Sequence, residues 1–187
     1  MSDEKLFKSF KVGVIGYSGN VEFEPILSLV PICITLGKEL GKRYTVFTGG
    51  RDGVMELVSK SVREVGGLCV GVLPWDGRDA NEYNSLVINT GLDFQMRSFI
   101  LVKSVDVIVS IGGEIGTAIE VMAAYANRKP VILLRGTGGW SDRFAQILID
   151  GMYLDNRKLA PIYQAKDVFE VLETIEKLAT GGILQGE

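Results

Sequence analysis

The chain has 187 residues, 47% of them hydrophobic and 23% charged, with a formal net charge of −3. It is long enough to bury a sizeable core, too apolar to be disordered, and acidic enough to disfavour a broad nucleic-acid or membrane-binding surface. It contains no histidine, which removes Ser-His-Asp and Cys-His catalysis, histidine-based zinc chemistry and any histidine general base.

Chemistry must therefore rest on carboxylates, Arg, Lys, Tyr, Ser, Thr or backbone N–H groups. The two cysteines, Cys33 and Cys69, sit inside apolar runs far apart in sequence and read as buried thiols of a reducing cytoplasm. Without a Cys-x-x-Cys pair, no metal site is expected. The first residues lack a signal-peptide pattern, and no apolar run approaches the length of a membrane span. The expected location is the cytoplasm, with neither membrane nor nucleic acid as partner.

In chain order, Lys11 to Ile15 reads as a first strand ending in the turn Gly16-Tyr17-Ser18-Gly19-Asn20. A helix is expected over Pro25 to Lys42, with Pro25 in its first turn and Pro31 implying a kink or a later start. Tyr44 to Thr48 is a second strand, closed by Gly49-Gly50. Asp52 to Val65 has helical periodicity and stops at Gly66-Gly67. Leu68 to Leu73 is a third strand, followed by a polar loop from Pro74 to Tyr83, and Ser85 to Asn89 reads as a short strand.

Phe94 to Ser104 reads as a helix, Asp106 to Ile111 as a buried strand and Gly116 to Asn127 as a helix. Pro130 to Leu134 is a strand, Ser141 to Leu148 a helix, Pro161 to Gln164 a short strand and Ala165 to Leu178 an amphipathic helix. Uniformly apolar strands alternating with helices predict a parallel sheet covered on both faces. The expected fold is α/β: one Rossmann-like, doubly wound domain over 1–187, in three layers with a mostly parallel sheet. Its ends, 1–10 and 181–187, are expected to fray.

In such sheets, ligands bind beyond the carboxyl ends of the strands, where the topology switches. Three glycine-rich turns qualify. In GGEIGTAIE, glycines admit backbone N–H groups to an anion at Gly112, Gly113 and Gly116, the following helix adds its positive dipole end, and Thr117 adds a hydroxyl. The same glycines also suit a tight turn and close helix–sheet packing. No Walker A or GxGxxG sequence is present, which disfavours ATPase and standard dinucleotide readings.

Glu120 is the lone charge in a helix of apolar and small residues. A carboxylate there is costly to bury unless paired or used, so it reads as a functional group or as half of a structural ion pair. Arg97, again a charge among apolar residues, reads as its natural complement and a fork-shaped ligand for phosphate, or as a solvated Arg on one exposed side shared with Asp93 and Ser98.

The turn from Thr48 to Met55, with Gly49 and Gly50, is a second phosphate cradle, in which Asp52 equally suits a helix cap. After the first strand, Gly16, Tyr17, Ser18 and Asn20 fit either a ribose or base contact or plain turn chemistry. Trp75 fits stacking on a base or covering an apolar edge.

At these residues the chain resembles the LOG family of cytokinin-type nucleoside 5′-monophosphate phosphoribohydrolases. The family motif PGGxGTxxE, preceded by an Arg, aligns its glutamate on Glu120 and its arginine on Arg97. TGGRDGVM, from Thr48 to Met55, is similar to the family's GGGxxGLM. The departures are Gly112 for Pro, Glu114 for the second Gly, and Met96 and Ser98 around the arginine. They mark a divergent branch, which includes proteins similar to molybdenum-cofactor carriers.

The resemblance implies N-glycosidic hydrolysis of a nucleoside 5′-monophosphate without a cofactor, with Arg97 and Glu120 catalytic. The alternative it implies is a non-catalytic carrier for a nucleotide-like or pterin-phosphate ligand. Either way it implies a phosphorylated small molecule as partner and a homodimer or higher homo-oligomer.

Overall fold

A computed structural model describes residues 9–75 and 78–181. Seven strands form one sheet: β1 (Lys11–Gly16), β2 (Thr45–Thr48), β3 (Leu68–Leu73), β4 (Leu86–Asn89), β5 (Val107–Ile111), β6 (Val131–Leu134) and β7 (Ile162–Ala165). Their order is β4-β3-β2-β1-β5-β6-β7, and every pairing is parallel. Parallel neighbours need a crossover, and five of the six here are helical. The exception runs from β3 to β4 through residues 74–85, where no helix forms among the described residues.

The helices are α1 (Val30–Arg43), α2 (Val54–Glu64), α3 (Phe94–Lys103), α4 (Ile115–Ala126), α5 (Gly139–Ile147) and α6 (Val168–Ala179). Side chains alternate across each strand, and the core divides accordingly. On one face Val12, Val14, Val46 and Val109 pack under Cys33, Leu36 and Leu40 of α1, Val58 and Val62 of α2, and Val171 and Ile175 of α6. On the other, Ile15, Val70, Ile108 and Leu133 pack under Leu101 of α3, Val121 and Ala124 of α4, and Phe144 of α5. Each fully buried aliphatic side chain contributes about 1.5–3 kcal/mol. The result is three layers, helices on both sides of the sheet.

Some element boundaries differ from expectation. The first helix starts late: a 3-10 turn at Leu27–Leu29 precedes α1, and Pro31 falls in its opening turn, where no N–H is needed. Pro25 lies ahead of both, in irregular chain. The last helix begins at Val168 rather than Ala165, because Asp167 caps it by accepting from the Glu170 N–H at 2.9 Å. Phe10, assigned to a frayed end, packs edge-on against Tyr44, and its carbonyl accepts the Thr45 N–H at 3.4 Å. Of the ends expected to fray, 1–10 and 181–187, residues 1–8 and 182–187 lie outside the described residues.

Candidate functional site

The strand order reverses between β1 and β5. From β1 the chain turns to α1 on one face; from β5 it turns to α4 on the other. The parting leaves a crevice at the carboxyl ends of these strands, and a cavity of about 220 Å³ lies there. Gly16 and Ser18 from the β1 turn, Gly49 and Arg51 from the β2 turn, Phe94, Gln95 and Arg97 from α3, and Gly116, Thr117 and Glu120 from α4 all line it.

Arg97 and Glu120 meet in its wall. Arg97 Nη1 is 3.7 Å from Glu120 Oε1, and both side chains are about nine-tenths buried. Glu120 Oε1 also accepts the Ser98 hydroxyl at 2.8 Å. Burial pushes the Glu120 carboxyl above its ordinary value, against the pull of Arg97 and Ser98. Burial likewise draws Arg97 below its ordinary value; Glu120 opposes this and Arg51 adds to it.

Arg97 Nε and Nη1 are buried with no hydrogen-bond partner. Gly49 is what lets this guanidinium sit where it does: a Cβ there would stand 2.8 Å from Nη1.

Two helix starts converge on the same place. No side chain caps α2, whose N-cap is Gly53, or α4, whose N-cap is Glu114. By contrast, Asp93 caps α3 and Asp167 caps α6. At α2 the Val54 N–H donates to the Tyr17 carbonyl at 2.9 Å; at α4 the first-turn N–H groups together with the helix dipole favour an anion. The Thr117 hydroxyl donates to the Gly16 carbonyl at 3.2 Å, tying α4 to β1. Asp52 does not cap α2; it accepts the Ser18 hydroxyl and so ties the β1 and β2 turns together. Glu114 is exposed and is not part of the cavity wall. Its charge acts instead on Tyr17, whose phenol is raised first by burial and then by Glu114.

Three residues expected in the phosphate cradle are not on the wall. Gly50 is turned into the protein: its carbonyl accepts the Asn81 N–H and Asn84 Nδ2, each at 2.9 Å, and Leu73 and Gly71 back it. Gly112 donates its N–H to Thr137 Oγ1 at 2.8 Å, and its carbonyl accepts the Ser141 N–H at 3.1 Å. Gly113 accepts the Trp140 N–H at 2.9 Å. A Cβ on Gly112 would lie 2.1 Å from the Tyr17 ring, and one on Gly113 2.1 Å from Thr117 Oγ1. These two glycines permit the close packing of Tyr17, α4 and α5.

Asn20 closes a local turn, its side-chain oxygen accepting the Glu22 N–H at 2.8 Å, and lies off the wall, as does Tyr17. Trp75 packs edge-on against Phe94 at 4.9 Å between ring centroids and is more than half exposed.

The wall includes residues that sequence reasoning did not single out. The Arg51 guanidinium lies over the Phe94 ring at 5.0 Å, a cation–π contact, and Gln95 lines the wall as well. An Arg between two glycines in a candidate phosphate turn was the available signal for Arg51. Among the described residues, no group of His, Cys, Asp or Glu is placed to hold a metal ion, and no helix is long and apolar enough to cross a membrane. Cys33 and Cys69 are free and buried, and burial pushes their thiols up to about 12 and about 11.

Residues 9–169 match the SLOG cluster4 family. The chain belongs to that family. The X-ray structure of the protein TM1055 is 60% identical, with a TM-score of 0.88 over 90% of this chain and 99% of that one. The molybdenum cofactor binding protein of Rippkaea orientalis is 28% identical, with a TM-score of 0.74 over 90% and 96%. The molybdenum cofactor carrier protein of Chlamydomonas reinhardtii is 29% identical, with a TM-score of 0.73 over 91% and 99%. This SLOG cluster4 chain thus stands in a divergent, LOG-like branch beside cofactor-carrier proteins.

Proposed function

We propose that the switch-point cavity binds a nucleoside 5′-monophosphate and that the protein hydrolyses its N-glycosidic bond, releasing the base and ribose 5-phosphate. The observation that carries this reading is the buried Arg97 in the wall of a cavity, ion-paired with Glu120 but with two nitrogens, Nε and Nη1, that make no hydrogen bond. A buried donor left unpaired costs about 1–3 kcal/mol, and a phosphorylated ligand restores what Arg97 lacks. The uncapped start of α4, at Gly116 and Thr117, supports the phosphate from the other side. Phe94, with Arg51 across its ring, offers a face for the planar base, and Gln95 an amide for its edge.

Glu120 then lies beside the sugar. Its carboxylate stabilises the oxocarbenium-like charge or takes a proton from the attacking water, as carboxylates do in glycoside hydrolysis. Arg97 orients the substrate and keeps Glu120 ionised enough to act. The test is release of free base from a panel of nucleoside 5′-monophosphates, followed by chromatography. Release by the wild type that Glu120→Ala abolishes is the expected result; no release from any member of the panel contradicts it.

A second reading, a carrier without turnover, draws on the neighbours from Rippkaea orientalis and Chlamydomonas reinhardtii. A pterin phosphate presents the same two handles, a planar ring and a phosphate. Tight binding without product, weakened by Arg97→Ala, would favour this reading. In either case we propose a homo-oligomer. Met96, Phe99 and Ile100 of α3 and Ile115 and Met122 of α4 are exposed, an apolar surface that a second subunit would cover. Sedimentation of the purified protein reads this directly.

A further inference from the structure

Ser98 is buried on α3, one residue after Arg97, and its hydroxyl has two acceptors in reach. Glu120 Oε1 is 2.8 Å away, and the backbone carbonyl of Phe94, one turn back on the same helix, is 3.1 Å away. A serine hydroxyl carries one proton and two lone pairs, so the two donor contacts are alternatives. We propose that Ser98 is a positioning residue for Glu120, a two-way hydrogen-bond partner that serves the carboxylate as donor and the carboxylic acid as acceptor. This rests on the reading of Glu120 as the group that takes up and returns a proton.

When Glu120 is ionised, the Ser98 proton points to Oε1. When Glu120 is protonated, its O–H donates to Ser98 Oγ, and the Ser98 proton swings to the Phe94 carbonyl. Bonding back to a carbonyl four residues earlier is a conformation that helical serines adopt readily. Neither state leaves a buried polar atom of this pair unsatisfied, so the carboxyl keeps one position through a change of charge.

A fixed cation would not do this, because it favours only the carboxylate. Among the described residues, the charges acting here are Arg97 on α3 and, behind it, Arg51 from the β2 turn. In the proposed reaction, the water oxygen bonds to the anomeric carbon while the C–N bond breaks, its electron pair going to the base nitrogen. The water proton passes to Glu120 and from there to the base nitrogen, which returns Glu120 to the carboxylate.

The experiment is an infrared titration of the Glu120 carboxyl in the full chain without ligand, isolated as the difference between each protein and the same protein carrying Glu120→Gln. Ser98→Ala should raise the titration midpoint by about one pH unit, because the donor to the charged form is the stronger of the two bonds lost. It should also move the carboxylic-acid stretch to higher frequency, since the acid loses its acceptor. Ser98→Thr should restore both, and Ser98→Cys, a weak donor, should fall between.

An unmoved midpoint or an unmoved acid band in Ser98→Ala overturns the proposal. If Ser98→Ala does not fold, the same two readings on Ser98→Cys decide it. Because this titration needs no turnover, absence of base release would count against the enzymatic reading and not against the role of Ser98.

Discussion

Gly49→Ala separates binding from folding. The new Cβ would stand 2.8 Å from Arg97 Nη1, 3.4 Å from Nη2 and 3.5 Å from Cζ. Ordinary contact begins near 3.4 Å, so the guanidinium must retreat by about half an ångström, far enough to spoil a directional hydrogen bond. A bond of Arg to phosphate contributes about 1.5–3 kcal/mol. The affinity for a nucleoside 5′-monophosphate should therefore fall roughly 10- to 100-fold.

Stability should hardly change. The obstacle is the far end of a flexible side chain, and alanine restricts the unfolded chain. The neighbouring Gly50→Ala is the control. Gly50 has a φ of +73°, and its Cβ would stand 2.6 Å from Leu73 Cδ1 and 2.9 Å from the Gly71 Cα. Backbone on that side cannot yield, so the variant should lose about 1–3 kcal/mol, or roughly 2–4 °C of Tm per kcal/mol. Titration calorimetry with the nucleotide and thermal denaturation read the two effects. If Gly49→Ala binds as well as the wild type, Arg97 is not the anion-holding group, whatever its burial.

Replacing both partners of the buried pair, Arg97→Met with Glu120→Leu, should leave Tm at or above that of the wild type while removing nucleotide binding, since apolar substitutes for a buried pair are often neutral or stabilising. Glu120 alone should give stability a pH dependence. Its folded pKa is raised, so its contribution to folding is fully present below the ordinary value of 4.5 and is lost as pH rises through the folded value. Urea unfolding of the wild type against Glu120→Gln over roughly pH 4–8 should show that slope, and its absence would argue for an unburied carboxyl.

Asp142 behaves in the opposite sense. Burial raises its pKa, but the Gly136 and Gly138 N–H groups at 2.9 and 2.7 Å and Arg135 Nε at 2.9 Å outweigh it and leave the value lowered. Its contribution is present above the ordinary 3.8 and lost as pH falls through the folded value. Asp142→Ala should cost about 2 kcal/mol or more by denaturant unfolding at neutral pH.

Much of the fold was legible because parallel strands buried on both faces, such as β1, β3 and β5, leave largely apolar runs ended by glycine or, after β3, by Pro74. Even β4, whose four residues are all exposed, stood out through its branched side chains. Helix starts were harder. Pro31 suits either a kink or a first turn, and the difference lies in where the preceding chain packs.

Arg97 and Glu120 were visible as lone charges in apolar helices, since burying a charge needs a reason. Gly112 and Gly113 were ambiguous because an anion cradle and a close helix contact demand the same missing Cβ. Tyr17 and α5, remote in sequence, fill the space. Arg51, Phe94 and Gln95 come together only when α3 is laid beside the β2 turn, a long-range juxtaposition that local pattern does not carry. Ser98 stood out in the sequence only as a departure beside Arg97, and its partner Glu120 lies on another helix.

The central claim is that the cavity between β1 and β5 takes a phosphorylated, ring-bearing molecule through Arg97. Its most direct test is calorimetric titration of the wild type and of Arg97→Met with a panel of nucleoside 5′-monophosphates and a pterin phosphate. Saturable binding of at least one of them by the wild type is expected, with a loss of at least tenfold in Arg97→Met. Equal affinity in the two proteins, or no binding of any phosphorylated ligand, would contradict it.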